Sequence, residues 1–325
     1  MILRIGTAKR KMLLKNFQLS TGIPKEEQIC LPMEQISDFN RFNLIVDSPK
    51  KAKLKVGEFR KWMNILYKLI WECKLSKSNI TKEKYIYISD GCGRMERRDL
   101  LERTITILKD KLSEHIVILG KSDIELDQKI AHIAQNFNFL LFGNNLNIKH
   151  PNLGYLPMGR DWRGKKYHHL HPSVNKKCLV YCNFSINTHP IRKTIYEKLR
   201  KKKFIDFDHM GEFLNYPIGH DEFYRRLRQA KFCIAPRGNA IETFRMWDCL
   251  YLGTIPIVVR EAAFHDALED LPILFIDSYQ AYAELTEKKL NQIYNEMCLR
   301  ELNYNKLKNR FWLDLISQNP RLIRT

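Results

Sequence analysis

Short apolar runs recur along the chain, with helical spacing of the apolar residues between them. The runs cover residues 42–47, 85–89, 115–119, 137–142, 178–182, 204–207, 232–235, 255–259 and 273–276. Alternation of strands and helices of this kind predicts parallel sheets joined by crossover helices. Several runs are apolar throughout, which favours strands that are covered on both faces. We therefore predict an α/β fold.

One segment, residues 151–177, has no clear period and is rich in Pro, Gly, His and Lys. Such composition is typical of a connection between domains. We predict an N-terminal domain over residues 1–158 and a C-terminal domain over residues 159–325. The chain closes on a helical pattern from 279 to 316 without Gly or Pro, and we expect a helix there to pack back across both domains.

An amphipathic pattern over residues 59–73 predicts a helix with one basic side. Its apolar positions fall on one face, at Phe59, Trp62, Met63, Leu66, Leu69, Ile70 and Cys73. The ordinary interpretation is a helix that faces the core and is solvated on its basic side. A basic amphipathic helix can also lie on a membrane surface, so peripheral membrane contact stays open.

Net charge favours an anionic partner or surface. Lys and Arg number 55 against 36 Asp and Glu, which gives a formal charge of +19. The first residues show no signal-peptide pattern, and no apolar run is long enough to span a bilayer. Several of the eight cysteines lie inside apolar runs, as expected of free thiols in a reducing compartment, so we expect a cytoplasmic protein.

The stretch 235–258, APRGNAIETFRMWDCLYLGTIPIV, joins two predicted strands through a predicted helix. The start of a helix leaves backbone N–H groups without partners and carries the positive end of the helix dipole, so it suits phosphate. Arg237 and Arg245 would add forked hydrogen bonds, and Gly238 would let the backbone approach. Glu242 and Asp248 would accept hydroxyls of a ribose or sugar. Surface ion pairs and an ordinary helix stop are the alternative explanation.

In this region the sequence resembles the exostosin-type glycosyltransferases, which are inverting enzymes that use nucleotide sugars. Three stretches carry the resemblance in order: KKCLVYCNFSINTHPIRKTIYEKL from 176, DEFYRRLRQAKFCIAPRGN from 221 and ETFRMWDCLYLGTIPIVV from 242. The resemblance covers roughly residues 176–260. It implies a GT-B fold, two Rossmann-like domains facing across a cleft, with acceptor binding in the first and nucleotide-sugar binding in the second. The donor-binding residues it implies are Arg192, Arg237, Gly238, Asn239, Glu242, Thr243, Arg245 and Asp248.

The implied reaction moves a sugar, such as xylose, galactose or glucuronate, from a UDP-sugar onto a glycan hydroxyl. The arginines and the helix terminus would neutralise the leaving diphosphate, so we expect no metal and no cofactor. An acidic or lipid-linked glycan is the acceptor that the basic charge favours. The catalytic base is predicted to be Asp90, with Asp161 as the second candidate. Asp90 could instead cap a helix, and Asp161 could pair with Arg160 or Arg163.

Other chemical signals are weaker. Asp206 and Asp208 form an Asp-x-Asp triplet, for which we favour a loop role near the nucleotide base over metal binding. His168, His169, His171, Cys178 and Cys182 invite a zinc interpretation, but cysteines four residues apart on a strand lie too far apart to share one metal.

Two alternatives to the predicted function remain. A GDP-fucose-type transferase would place similar charges on a helix before a Gly-x-x-Pro strand. Basic runs at 198–204 and 225–231 would suit a nucleic acid, but no nucleic-acid-binding motif accompanies them, so we expect no nucleic acid partner.

Overall fold

The computed structural model describes nine stretches of the chain: residues 42–47, 85–89, 116–119, 122–161, 167, 169–170, 172–173, 175–208 and 218–318, apart from the side chains of 42–47, 85–89 and 317–318. The predicted base Asp90, the predicted helix over 59–73, and His168 and His171 lie outside these residues. The chain divides into two compact units between Pro157 and Met158.

The first unit contains a parallel five-stranded sheet in the order β1-β2-β3-β4-β5. Its strands are β1 (Phe42–Asp47), β2 (Tyr85–Ser89), β3 (Ile116–Leu119), β4 (Leu140–Gly143) and β5 (Leu153–Tyr155). Helix α1 (Gln128–Asn136) precedes β4 and is capped by Asp127, whose carboxylate accepts from the N–H groups of Lys129 and Ile130. The predicted strand over 137–142 begins later, at Leu140, because residues 137 and 138 terminate α1.

The second unit contains another parallel five-stranded sheet, in the order β10-β9-β8-β6-β7. Its strands are β6 (Cys178–Cys182), β7 (Ile205–Phe207), β8 (Ala230–Ile234), β9 (Ile255–Val259) and β10 (Leu274–Ile276). Every residue of β9 is buried, which agrees with a strand covered on both faces. The α/β class with parallel sheets is therefore confirmed.

Helices α2 (Pro190–Leu199), α3 (His220–Gln229) and α4 (Phe244–Tyr251) connect the strands of the second sheet. The apolar core is formed by β6, β8 and β9 together with Ile195 and Leu199 of α2, and it continues to Leu290 and Met297. Among the described residues, no helix is long and apolar enough to cross a membrane.

The end of the chain differs from the single long helix predicted over 279–316. Four pieces replace it: 3-10 helices at Gln280–Glu284 and Tyr304–Leu307, helix α5 (Glu287–Met297) and helix α6 (Asn309–Gln318). Thr286 starts α5, because its hydroxyl accepts from the N–H of Lys289. All four pieces belong to the second unit.

Candidate functional site

The carboxyl ends of β6, β8 and β9 carry the loops that hold the predicted donor-binding residues. After β8, Ala235 still donates to the carbonyl of Ile257, and the chain then leaves the sheet at Pro236. Helix α4 starts at Phe244, later than the sequence pattern predicts. Thr243 is its N-cap, with a hydroxyl that accepts from the N–H of Met246 at 3.4 Å. Thr243 therefore fixes the start of the helix.

Arg192 of α2 holds the loop that follows β8. The residue is 6% exposed, and its guanidinium donates four hydrogen bonds within the protein. The acceptors are the carbonyls of Arg237 (2.7 Å), Pro236 (3.1 Å) and Ser185 (3.1 Å), and the hydroxyl of Thr188 (2.6 Å). Arg192 thus ties the loop to the turn after β6.

Two consequences follow from the position of Arg192. Burial, together with the positive charge of Arg245, lowers the pKa of Arg192 to about 9. A Cβ on Gly238 would lie 3.0 Å from the Nη2 atom of Arg192, so the glycine leaves room for the guanidinium. Asn239, the next residue, is exposed.

Among the described residues, no carboxylate pairs with Arg245, which lies in the first turn of α4. Throughout the part of the chain that the structure describes, it forms no hydrogen bond and no ion pair, and its buried Nε atom has no acceptor. Its Cζ atom lies 5.9 Å from the ring centroid of Phe223. A half-buried guanidinium beside the buried Arg192 makes this edge of the sheet electropositive, which favours an anion.

Arg237 lies next to a glutamate of the loop after β9. Its Nη1 atom is 3.9 Å from the Oε2 atom of Glu261, which follows β9. The hydroxyl of Tyr279 lies 2.6 and 2.7 Å from the two carboxylate oxygens of Glu261 and donates to them. Burial and the Glu261 carboxylate raise the pKa of Tyr279, which keeps it a donor.

His265 holds the backbone of the same loop. It is fully buried, and its Nδ1 atom accepts from the N–H groups of Glu261 and Ala262, both at 3.3 Å. The ring packs against Phe264 and Phe275, at centroid distances of 4.2 and 5.3 Å. Burial, with the charge of Arg260 as a second cause, lowers the pKa of His265 to about 4, so the imidazole is neutral at pH 7.

Glu242 lies inside the protein. It is 1% exposed, and its Oε1 atom accepts from the N–H of Met158 at 2.9 Å and from the indole N–H of Trp247 at 2.5 Å. The structure therefore gives this predicted acceptor of sugar hydroxyls two protein donors. Glu242 joins the start of the second unit to the loop before α4.

Asp248 is also buried, at 3% exposure, and pairs with Arg160. Its Oδ1 atom accepts from the Nε of Arg160 at 2.9 Å, and its Oδ2 atom accepts from the hydroxyl of Tyr224 at 3.3 Å. Burial raises the pKa of Asp248, and Arg160 opposes the rise. Asp161, the second candidate base, is half-buried and raises the pKa of Asp248 further.

Both aspartates of the Asp-x-Asp triplet pair with an arginine of the protein. Arg226 of α3 forms ion pairs with Asp206, at 2.6 Å, and with Asp208. Asp208 is buried and accepts from the hydroxyl of Tyr181 and the side-chain amide of Asn183. Among the described residues there is no group of three His, Cys, Asp or Glu that could hold a metal ion.

Sequence reasoning had not singled out three contributors to this site, Glu261, Tyr279 and Arg226. The position of Glu261, two residues after the predicted strand 255–259, was the available signal, because ligands of open parallel sheets bind at the carboxyl ends of strands.

Residues 148–280 match the family described as the Exostosin GT47 domain. No curated protein matches the chain. Among solved structures, an alpha1,3-fucosyltransferase matches at 12% identity and a TM-score of 0.40, over 85% of this chain and 90% of that one. The N-terminal domain of Candida albicans trehalose-6-phosphate phosphatase matches at 11% and 0.41, over 89% and 82%.

Proposed function

We propose that this chain is a glycosyltransferase that transfers a sugar from a UDP-sugar to a hydroxyl of a glycan. The match of residues 148–280 to the Exostosin GT47 domain supports the proposal. The observation that carries the proposal is Arg245, a cation without a carboxylate partner in the described residues, beside the buried cation Arg192. Two like charges at the carboxyl edge of a parallel sheet suit a diphosphate. The two units would form a GT-B arrangement.

In the proposed reaction, the acceptor hydroxyl attacks the anomeric carbon of the sugar as the bond to the diphosphate oxygen breaks. The configuration inverts, and a base removes the proton of the hydroxyl. Asp90 and Asp161 remain the candidate bases. Arg245 and Arg237 take up the charge that develops on the leaving diphosphate, so the step needs no metal.

The other predicted donor-binding residues receive positioning roles in this proposal. Arg192 and Gly238 shape the loop that presents Arg237, and Thr243 caps the helix that presents Arg245. Glu242 and Asp248 fix α4 through donors from residues 158 and 160. Asn239 is exposed and available to a ligand. An acidic or lipid-linked acceptor, peripheral membrane contact and a cytoplasmic location remain proposals.

Calorimetric titration with UDP and with GDP, in the presence of EDTA, tests the proposal. We expect saturable binding of UDP, which Arg245→Ala weakens by roughly tenfold to a hundredfold, since charge-assisted hydrogen bonds contribute about 1.5–3 kcal/mol. Arg225→Ala is the matched control, because Arg225 is exposed and pairs with Glu222.

The other outcomes decide against parts of the proposal. Tighter binding of GDP would favour the fucosyl alternative, and binding that requires Mn²⁺ would contradict a metal-independent site. If neither nucleotide binds, or if Arg225→Ala weakens binding as much as Arg245→Ala, the proposed donor site is wrong.

A further inference from the structure

We infer that Glu261 accepts a hydrogen bond from a sugar hydroxyl of the donor, on the ribose or on the transferred sugar. This inference rests on the proposed function, and it assigns a hydroxyl-binding role to a residue of the loop after β9. Both sugars carry neighbouring hydroxyl groups, for which a carboxylate is a strong acceptor.

Glu261 lies beside a proposed phosphate ligand. The Oε2 atom of Glu261 lies 3.9 Å from the Nη1 atom of Arg237, one of the proposed phosphate ligands. Both sugars of a nucleotide sugar are attached directly to the diphosphate, so a group beside the phosphate ligands lies within reach of their hydroxyls. The side chains of Glu261 and Arg237 are 22% and 17% exposed, which leaves both accessible to a ligand.

The orientation of the Glu261 carboxylate is fixed before any ligand binds. The hydroxyl of Tyr279 contacts both carboxylate oxygens of Glu261, and the buried His265 fixes the backbone of the loop. A carboxylate offers about four lone-pair sites, more than the single hydroxyl of Tyr279 can fill. A binding group whose orientation is already fixed loses less entropy when the ligand arrives.

The two carboxylates that the sequence favoured for this role are buried and bonded within the protein. Glu242 and Asp248 are 1% and 3% exposed and accept hydrogen bonds from residues 158 and 160. Glu261 is instead more exposed and lies against a proposed phosphate ligand.

The negative charge of Glu261 predicts the direction in which its removal changes the affinity of each ligand. A carboxylate beside a phosphate site repels the phosphates, so its removal alone should tighten the binding of any phosphate ligand. If Glu261 also binds a sugar hydroxyl, its removal should weaken the binding of ligands that carry this hydroxyl. Glu261→Gln should therefore affect pyrophosphate and a sugar nucleotide in opposite directions.

The test is calorimetric titration of the full chain and of Glu261→Gln with pyrophosphate, UDP, 2′-deoxy-UDP and UDP-galactose. Glu269→Gln is the matched control, since the Glu269 carboxylate is 61% exposed and pairs with Arg260. We expect Glu261→Gln to weaken binding of the ligand with the recognised hydroxyl by about fivefold, because a neutral amide oxygen replaces the charged acceptor, and to leave pyrophosphate binding equal or tighter. Melting temperature reports whether the variant is folded.

The ligands identify which sugar is bound. A wild-type preference for UDP over 2′-deoxy-UDP that Glu261→Gln removes assigns the ribose. A preference for UDP-galactose over UDP that the variant removes assigns the transferred sugar. Equal changes for all four ligands, or no change, would overturn the inference while Arg245-dependent UDP binding still upholds the proposed function. If the wild-type chain binds no nucleotide, both fail.

Discussion

Protonation of His265 should destabilise the second unit in a defined pH window. The imidazole is fully buried, and its Nδ1 atom accepts the two N–H groups that hold the loop after β9. Protonation would turn this acceptor into a donor facing two other donors. Its pKa is about 4 in the folded protein, against an ordinary value of 6.5. The unfolded chain therefore binds the proton more readily, and stability falls as the pH falls from above 6.5 towards 4.

The size of the effect follows from the same two values. Linkage gives a loss of about 2 kcal/mol in the free energy of unfolding between pH 8 and pH 5, and about 3 kcal/mol by pH 4. Such a loss is a large part of the total stability of an ordinary domain. The contribution is fully present at pH 8, so the unfolding midpoint in urea should be highest there.

A substitution separates His265 from the other histidines of the chain. In His265→Asn the amide oxygen can still accept an N–H but does not titrate in this window. We expect the variant to lose about 2 kcal/mol less than the wild type between pH 8 and pH 5, as measured by urea unfolding followed by circular dichroism. His132→Asn, at an exposed position of α1, should keep the wild-type dependence. An unchanged pH dependence in His265→Asn would refute the assignment.

Two further substitutions test the framework of the site. Arg192→Lys cannot reproduce the four hydrogen bonds of Arg192, so we expect UDP to bind about tenfold more weakly by calorimetry. Arg200→Lys is the control, because Arg200 is exposed after α2, and it should leave UDP binding unchanged. Equal affinities of the two variants would contradict the role of Arg192 in holding the loop after β8. Asp248→Ala leaves Arg160 as a buried charge without its carboxylate, so it should lower the free energy of unfolding in urea by about 3–5 kcal/mol. The double variant Arg160→Met with Asp248→Leu removes both charges and should lose less. A double variant that is less stable than Asp248→Ala would refute this prediction.

Much of the fold was readable from short-range patterns. Runs such as residues 255–259 are apolar throughout because both faces are covered, so strand and sheet type could be predicted together. Strand β5 was missed because it has three residues and includes Gly154, whose missing side chain leaves space for Phe142. The predicted helix over 279–316 lacked Gly and Pro, but Thr286 caps a new helix inside it.

Predictions for the site were limited by contacts between distant parts of the sequence. Glu242 and Asp248 were expected to accept hydroxyls of a ribose or sugar. Both are buried instead, since their donors come from residues 84 and 88 positions earlier in the chain. Local periodicity carries no information about such partners. Arg245 and Arg237 were predicted as phosphate ligands because strand, glycine and helix follow one another in the sequence, and this role stays a prediction.

The links from residues 158 and 160 to α4 also determine where the second unit can be cut from the chain. Its sheet begins at Cys178, so the strands alone suggest a fragment that starts near residue 176. Such a fragment would remove Arg160 and the N–H of Met158, so the buried carboxylates of Asp248 and Glu242 would each lose one of their donors. A fragment intended to fold independently therefore has to start upstream of Met158, so two buried carboxylates define the boundary more strictly than the β-sheet does.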